Sequence, residues 1–236
     1  MKFLHKKLLN NMRIAVICAM DIEAKSLIDL LDQKEIVKIL DKTFYYGKIK
    51  NEDVAVAVSG IGKVASGITT TLLIEHFKPD VVINSGIAGG YNKVKTLDLV
   101  IASDVAYYDV DLTADNQEFG ALQGLPKYFP ASKEMLEKAR KNVKNYCLGT
   151  IITADVFASD RNKIDNIVKK YYHDNVLAVD MESASVAHAC YLTNTPFMIM
   201  RVISDVIGEE SQITSYYEFS AAACNASVEA ILNLIN

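Results

Sequence analysis

Half of the 236 residues are hydrophobic, and 25 Lys and Arg stand against 29 Asp and Glu for a net charge of -4. That is enough apolar material for the core of one larger domain, and without a basic stripe it argues against a nucleic-acid partner. No apolar run reaches the length of a membrane-spanning helix, which argues against a membrane partner.

Residues 1–11, M-K-F-L-H-K-K-L-L-N-N, are basic but lack a long apolar core and a cleavage site, so they are not read as a signal peptide. They read as an extension ahead of one domain, 12–236. Arg13 to Ala19 is a buried-type strand, and Ala24, Leu27, Ile28 and Leu31 fall on one face of the helix after it. Ile36 to Leu40, Phe44 to Ile49 and Val54 to Val58 read as strands, the last apolar throughout as in a central strand. Gly60 and Gly62 lead into a helix over Lys63 to Phe77. Val81 to Asn84 is a strand ended by the glycine turn Gly86 to Gly90, and Leu99 to Ala102 is strand again. Tyr107 to Pro130 is long, polar and aromatic, with little period and no evident core of its own. Such a segment in a compact domain is functional or covered by a partner.

Ser132 to Asn142 is helical, Leu148 to Thr153 is strand, and Asp160 is the N-cap of a helix reaching Lys170. An apolar run then ends on Asp180 and Glu182. A small-residue helix follows, and a second run, Pro196 to Ile203, ends on Ser204 and Asp205. Ser215 and Glu218 form an S-x-x-E capping box for a last helix with Phe219, Ala223, Ala226 and Ala230 on one face. The alternation predicts an α/β fold, a central mixed, largely parallel β-sheet flanked by helices.

Ligands bind at the carboxyl ends of strands in such sheets, so the acids there are site candidates, although an acid after a strand also serves as a helix cap. Glu23, just after the first strand, has the same double reading, since the dipole favours acids in a first helical turn. The glycines at Gly60 to Gly62 and Gly86 to Gly90 either let backbone approach a ligand or make a tight turn, and neither stretch fits a dinucleotide or P-loop pattern. The histidines lack ligand spacing, and His188 reads as a core residue. Cys18, Cys147, Cys190 and Cys224 lack metal spacing and suit a reducing cytoplasm. What remains is carboxylate chemistry: acids that activate water, protonate a leaving group and grip hydroxyls of a small neutral molecule.

Seven pieces in order, M-R-I-A-V-I-C-A-M-D-I-E, S-G-I-G-K-V-A-S, N-S-G-I-A-G-G, D-V-D-L-T-A, T-A-D-V-F, V-D-M-E-S-A-S-V-A-H and R-V-I-S-D-V, resemble the nucleoside phosphorylase and hydrolase superfamily. The resemblance is strongest to its 5′-methylthioadenosine/S-adenosylhomocysteine nucleosidases and covers the chain from Met12 almost to its end. It implies a nucleoside phosphorylase/hydrolase-like fold, a small-molecule nucleoside substrate, no metal or organic cofactor, and a cytoplasmic homodimer whose pocket is completed across the interface. By resemblance, Glu23 activates the attacking water and Asp205 protonates N7 of the leaving adenine. Glu182 holds the ribose hydroxyls with Met181 beside the ribose, Phe157 stacks on adenine, and the backbone of Ala158 hydrogen-bonds the base. Ile61 and Tyr216 match pocket walls, and Ser204 and Arg201 match positions that orient the acid.

Several positions depart from the family pattern. Ile87 stands where a small hydroxyl or Val is frequent, and Asp180 replaces Glu. The loop from Asp205 to Tyr216 is one residue longer. Leu112 keeps an apolar wall, but Asp115 falls where a neighbouring subunit supplies an aromatic to the alkylthio tail pocket. The resemblance therefore implies hydrolysis of 5′-methylthioadenosine and S-adenosylhomocysteine, with a weakened preference for the former if Asp115 lines the pocket and an ordinary one if the loop shifts, Asp115 faces solvent and Phe119 fills the pocket. The residues leave open a nucleosidase for another 5′-modified adenosine, of the 5′-deoxyadenosine or aminodeoxyfutalosine type. A purine nucleoside phosphorylase and a nucleoside-binding subunit without catalysis also stay open. An acid at Glu23, in place of a phosphate-binding loop, favours water over phosphate.

Overall fold

The computed structural model describes residues 11–235, so residues 1–10 of the expected extension lie outside the described residues. Among the described residues ten strands and six α-helices follow one another: β1 (Arg13–Cys18), α1 (Asp21–Asp29), β2 (Asp32–Ile39), β3 (Lys42–Ile49), β4 (Glu52–Val58), α2 (Lys63–Phe77), β5 (Val81–Gly90) and β6 (Leu99–Tyr107). Then come β7 (Phe129–Pro130), α3 (Lys133–Asn142), β8 (Tyr146–Thr153), α4 (Arg161–Tyr171), β9 (Val176–Asp180), α5 (Ser183–Leu192), β10 (Phe197–Val206) and α6 (Gln212–Leu234).

The sheet is mixed and carries helices on its faces, as expected. β5 pairs in parallel with β1 and β10, and β1 with β4, from which β3 and β2 continue antiparallel. The alternation did not reveal that half of the sheet closes. β10 pairs with both β5 and β6, β6 with β8, β8 with β9, and β9 returns to β5, so β5, β10, β6, β8 and β9 form a five-stranded barrel. Closure removes two edges that would otherwise expose unpaired backbone groups.

Two expectations are corrected. Gly86 to Gly90 is no turn but the second half of β5, paired with β10 and, at Gly89 and Gly90, with β9. None of these glycines takes a positive φ. They are there for close approach: a Cβ on Gly86 would sit 2.5 Å from Glu23 Oε1, and one on Gly90 would sit 2.8 Å from Ile203 Cγ2. The last helix begins at Gln212 rather than Ser215, and Ser215 N–H already donates to the carbonyl of Ser211. Ser215 and Glu218 therefore form no capping box. The i, i+3 spacing of that motif is also the spacing of any two neighbours on a helix face.

The 107–130 segment has more anchorage than its composition suggested. Tyr107, Tyr108, Ala121 and Phe129 are buried, and β7 pairs with β6. Phe119 stacks on Tyr171 at the end of α4 with centroids 4.1 Å apart, and Lys127 Nζ bonds Glu118 at 2.8 Å. The tip around the short 3-10 turn Thr113–Asp115 stands exposed. Asp160 caps α4 as expected, accepting from Lys163 N–H at 3.0 Å. His188 is half-buried and meets Tyr107 Oη through Nδ1 at 3.1 Å.

Candidate active site

A cleft opens where β1, β4, β5, β8, β9 and β10 end, at the carboxyl ends of strands where ligands bind in such sheets. Glu23, Ile61, Ile87, Phe157, Ala158, Met181, Glu182, Ser204, Asp205 and Tyr216 line it. These are ten of the expected site residues, drawn from across the chain. Leu112 and Asp115 lie outside it in this chain, at the exposed tip of the 107–130 segment.

Glu23 stands in a first helical turn and also lines the cleft. It sits at the third position of α1, and Oε2 accepts the N–H of Met20 at 2.9 Å and of Ala19 at 2.8 Å. Oε1 reaches across the cleft to the N–H of Ile87 at 3.0 Å. Burial raises its pKa, against the Arg201 charge and the three backbone donors, which favour the carboxylate.

Glu182 is placed by a division of labour at the start of α5. Asp180 accepts the N–H of Ser183, and the Thr153 hydroxyl accepts that of Ala184. With these helix-end groups satisfied, the Glu182 side chain turns into the cleft. There Oε1 accepts from Gly62 N–H at 2.9 Å, at the positive end of α2. Gly62 needs its glycine, because φ is +98° and a Cβ would lie 3.0 Å from Asp155 Oδ1. Burial, reinforced by the nearby Asp180 charge and opposed by Arg201, pushes Glu182 up to about 7.

Asp205 owes its direction to a bulge. The β5–β10 register slips between Ile203 and Asp205, leaving Ser204 as the extra residue. In an even strand two consecutive side chains face opposite sides; the bulge lets both line the cleft. Ser204 Oγ donates to Asp205 Oδ1 at 2.5 Å, and Gln212 Nε2 donates to Oδ2 at 2.8 Å. Burial raises the Asp205 pKa, and these two hydrogen bonds pull it down.

Arg201, 1% exposed, departs from its expected part. It does not touch Asp205 but bonds Asp180 Oδ2 through Nε at 2.9 Å and Asn84 Oδ1 through Nη2 at 2.7 Å. Its Nη2 stands 3.9 Å from Glu182 Oε2. The guanidinium thus balances Asp180 and Glu182 in an interior where an uncompensated charge is costly. Phe157 meets Tyr216 edge to face, centroids 5.7 Å apart, and Tyr216 Oη points at Met20 Sδ, forming an apolar wall.

Sequence reasoning missed Asn84, Thr153 and Gln212. Asn84 and Thr153 are polar residues inside apolar strands, a signal that was available. For Gln212 the extra residue in its loop was the only hint. Among the described residues no cluster of three or more His, Cys, Asp or Glu side chains is placed to hold a metal ion, and no helix is long and apolar enough to cross a membrane.

The family model of the phosphorylase superfamily matches residues 13–236. A 5′-methylthioadenosine/S-adenosylhomocysteine nucleosidase of Bacillus cytotoxicus is 40% identical over 230 residues, 95% of this chain and 98% of its own. The crystal structure of such a nucleosidase from Colwellia psychrerythraea, in complex with adenine, matches with a TM-score of 0.91 at 33% identity, over 96% of this chain and 95% of that one. A futalosine hydrolase mutant of Helicobacter pylori matches with a TM-score of 0.89 at 26% identity, over 95% of this chain and 98% of that one.

Proposed function

The chain belongs to the phosphorylase superfamily and, within it, to the 5′-methylthioadenosine/S-adenosylhomocysteine nucleosidases, and from that premise we propose that it hydrolyses the N-glycosidic bond of both nucleosides. The products are adenine and the 5-thio-ribose. The observation that carries this reading is the convergence of Glu23, Glu182 and Asp205 on one cleft at the strand ends.

Breaking an N-glycosidic bond builds positive charge on the sugar and negative charge on the departing base. Asp205, raised by burial, gives its proton to N7 of adenine. Phe157 stacks on the base, and the Ala158 backbone hydrogen-bonds it. Glu182 holds the ribose hydroxyls, Met181 packs beside them, and both Glu182 and Glu23 favour the cationic sugar. Glu23, fixed by three backbone N–H groups, takes a proton from the attacking water. Its carboxylate at the end of β1 repels a phosphate nucleophile. Turnover should be the same with and without phosphate, with the free reducing sugar as product; detection of a ribose 1-phosphate would sink the hydrolase reading.

The enzyme acts in this proposal as a cytoplasmic homodimer in methionine salvage, the exposed Leu112–Asp115 tip of one copy closing the tail pocket of the other. A fully active monomer, seen by sedimentation at assay concentration, would contradict the shared pocket. A second reading, a nucleosidase for another 5′-modified adenosine, is favoured by Asp115 at the tail and by the likeness to the futalosine hydrolase. A panel of 5′-substituted adenosines separates the two by kcat/KM.

A further inference from the structure

Gln212 has no part in the roles above, yet it is 4% exposed and both ends of its amide are engaged. Nε2 donates to Asp205 Oδ2 and to the carbonyl of Ala158, each at 2.8 Å, and Oε1 accepts from Gly208 N–H at 3.0 Å. One side chain thus ties the end of β10 to the segment after β8 and to the turn into α6. Both acceptors of its nitrogen belong to residues of the cleft wall. Gly208 holds that turn, with φ at +83° and no room for a Cβ against Arg161.

We propose that Gln212 is a positioning residue for the general acid: it holds Oδ2 as the unprotonated oxygen of Asp205 and so assigns the transferable proton to Oδ1. This rests on the nucleosidase reading. An amide nitrogen is a donor only, and an N–H pairs better with a carbonyl-type oxygen than with a hydroxyl oxygen. On the other side, Ser204 Oγ can give or take. It lies 2.5 Å from Oδ1 and 3.4 Å from the carbonyl of Ala88. When Oδ1 carries the proton, the Ser204 hydrogen turns to Ala88. As the glycosidic bond breaks, its electron pair goes to the base, N7 takes the proton from Oδ1, and the Ser204 hydrogen turns back to the carboxylate. The new carboxylate then has a donor on each oxygen.

Glu23 on α1, Asp180 and Glu182 at the start of α5, and the Tyr216 phenol on α6 share the cleft with Asp205. Glu209 and Glu210 in the turn are exposed, and Arg161 of α4 packs against Gly208. Gln212 and Ser204 are the neighbours that favour the ionised form.

The test is the pH profile of kcat/KM for methylthioadenosine in wild type, Gln212→Met and Gln212→Glu. Removing the donor in Gln212→Met lets Asp205 keep its proton to higher pH, so the alkaline limb should move up by about one pH unit. Its kcat should fall about tenfold, with KM changed much less. A carboxyl beside Oδ2 in Gln212→Glu should move the limb further in the same direction; its matching shape keeps the test valid if Gln212→Met fails to fold. A merely structural role would alter kcat or Tm and leave the limb in place. Unmoved limbs in an otherwise active series would overturn the Gln212 assignment alone. Wild-type protein that releases no adenine would sink the nucleosidase reading and this inference with it.

Discussion

Replacing Glu23 by Gln keeps the volume and removes one acceptor. Three N–H groups aim at the carboxylate, the buried one of Ala19 and the part-buried one of Met20 at Oε2 and the buried one of Ile87 at Oε1. A Gln amide has one acceptor oxygen. If that oxygen faces Ala19 and Met20, the NH₂ meets the Ile87 N–H, donor against donor; the opposite orientation strands two donors instead. One stranded buried donor costs about 1–3 kcal/mol. Removing a carboxylate that burial disfavours offsets part of that cost. The net loss should stay below about 3 kcal/mol, or below roughly 10 °C in Tm for a chain of this length. Turnover should fall by about two to four orders of magnitude, because the water loses its base. Adenine release measured by coupled absorbance and a thermal melt on the same sample check the two halves. Turnover within tenfold of wild type would refute the base assignment, and loss of the folded transition would refute the packing account.

Asp205→Asn should lower turnover by about two to four orders of magnitude with folding intact; an Asn variant near wild-type turnover removes the proposed general acid. The Glu182 pKa is raised above its unfolded value, so the native state binds more protons and stability falls as pH rises from about 4.5 through about 7. Glu182→Gln should therefore gain in Tm relative to wild type between pH 5 and pH 8, by several degrees; a Tm difference independent of pH would show that the buried carboxylate carries no such cost. Asp115→Phe should raise the kcat/KM ratio of methylthioadenosine to adenosylhomocysteine about 5- to 100-fold, the scale of one regained apolar contact. The neighbouring Phe119 cannot supply that contact while it is stacked on Tyr171, and an unchanged ratio would place Asp115 outside the tail pocket.

The strands of this fold were legible wherever burial on both faces left a continuous apolar run, as in β1, β4 and the first half of β5. The second half of β5 was not, because its glycines answer to close approach by Glu23 and Ile203, contacts remote in sequence. Barrel closure was invisible for the same reason: β10 has the same apolar pattern whether it pairs on one side or two. The cleft residues were legible as a set through resemblance, and all but three of the expected residues line the one cleft. Leu112 and Asp115 stand outside the cleft in this chain, and Arg201 serves Asp180 and Glu182 rather than Asp205.

Local pattern alone could not separate site acids from caps, since Glu23, Asp180, Glu182 and Asp205 all stand at strand ends or helix starts. The structure separates them by their partners. Asp180 is consumed by Ser183, Thr153 and Arg201 and has little left to offer a ligand. Burial raises Glu23, Glu182 and Asp205 alike, so the direction of the shift does not decide which of them carries the proton. Glu23 takes three backbone N–H groups, a set that rewards the charged form, as a base for water requires. Glu182 accepts from the start of α2 and lies near the Arg201 guanidinium, which also rewards charge and suits a group that must face a cationic sugar. Asp205 takes its support from a hydroxyl and a neutral amide rather than from backbone N–H groups or a guanidinium, partners that fit the general-acid role proposed for it.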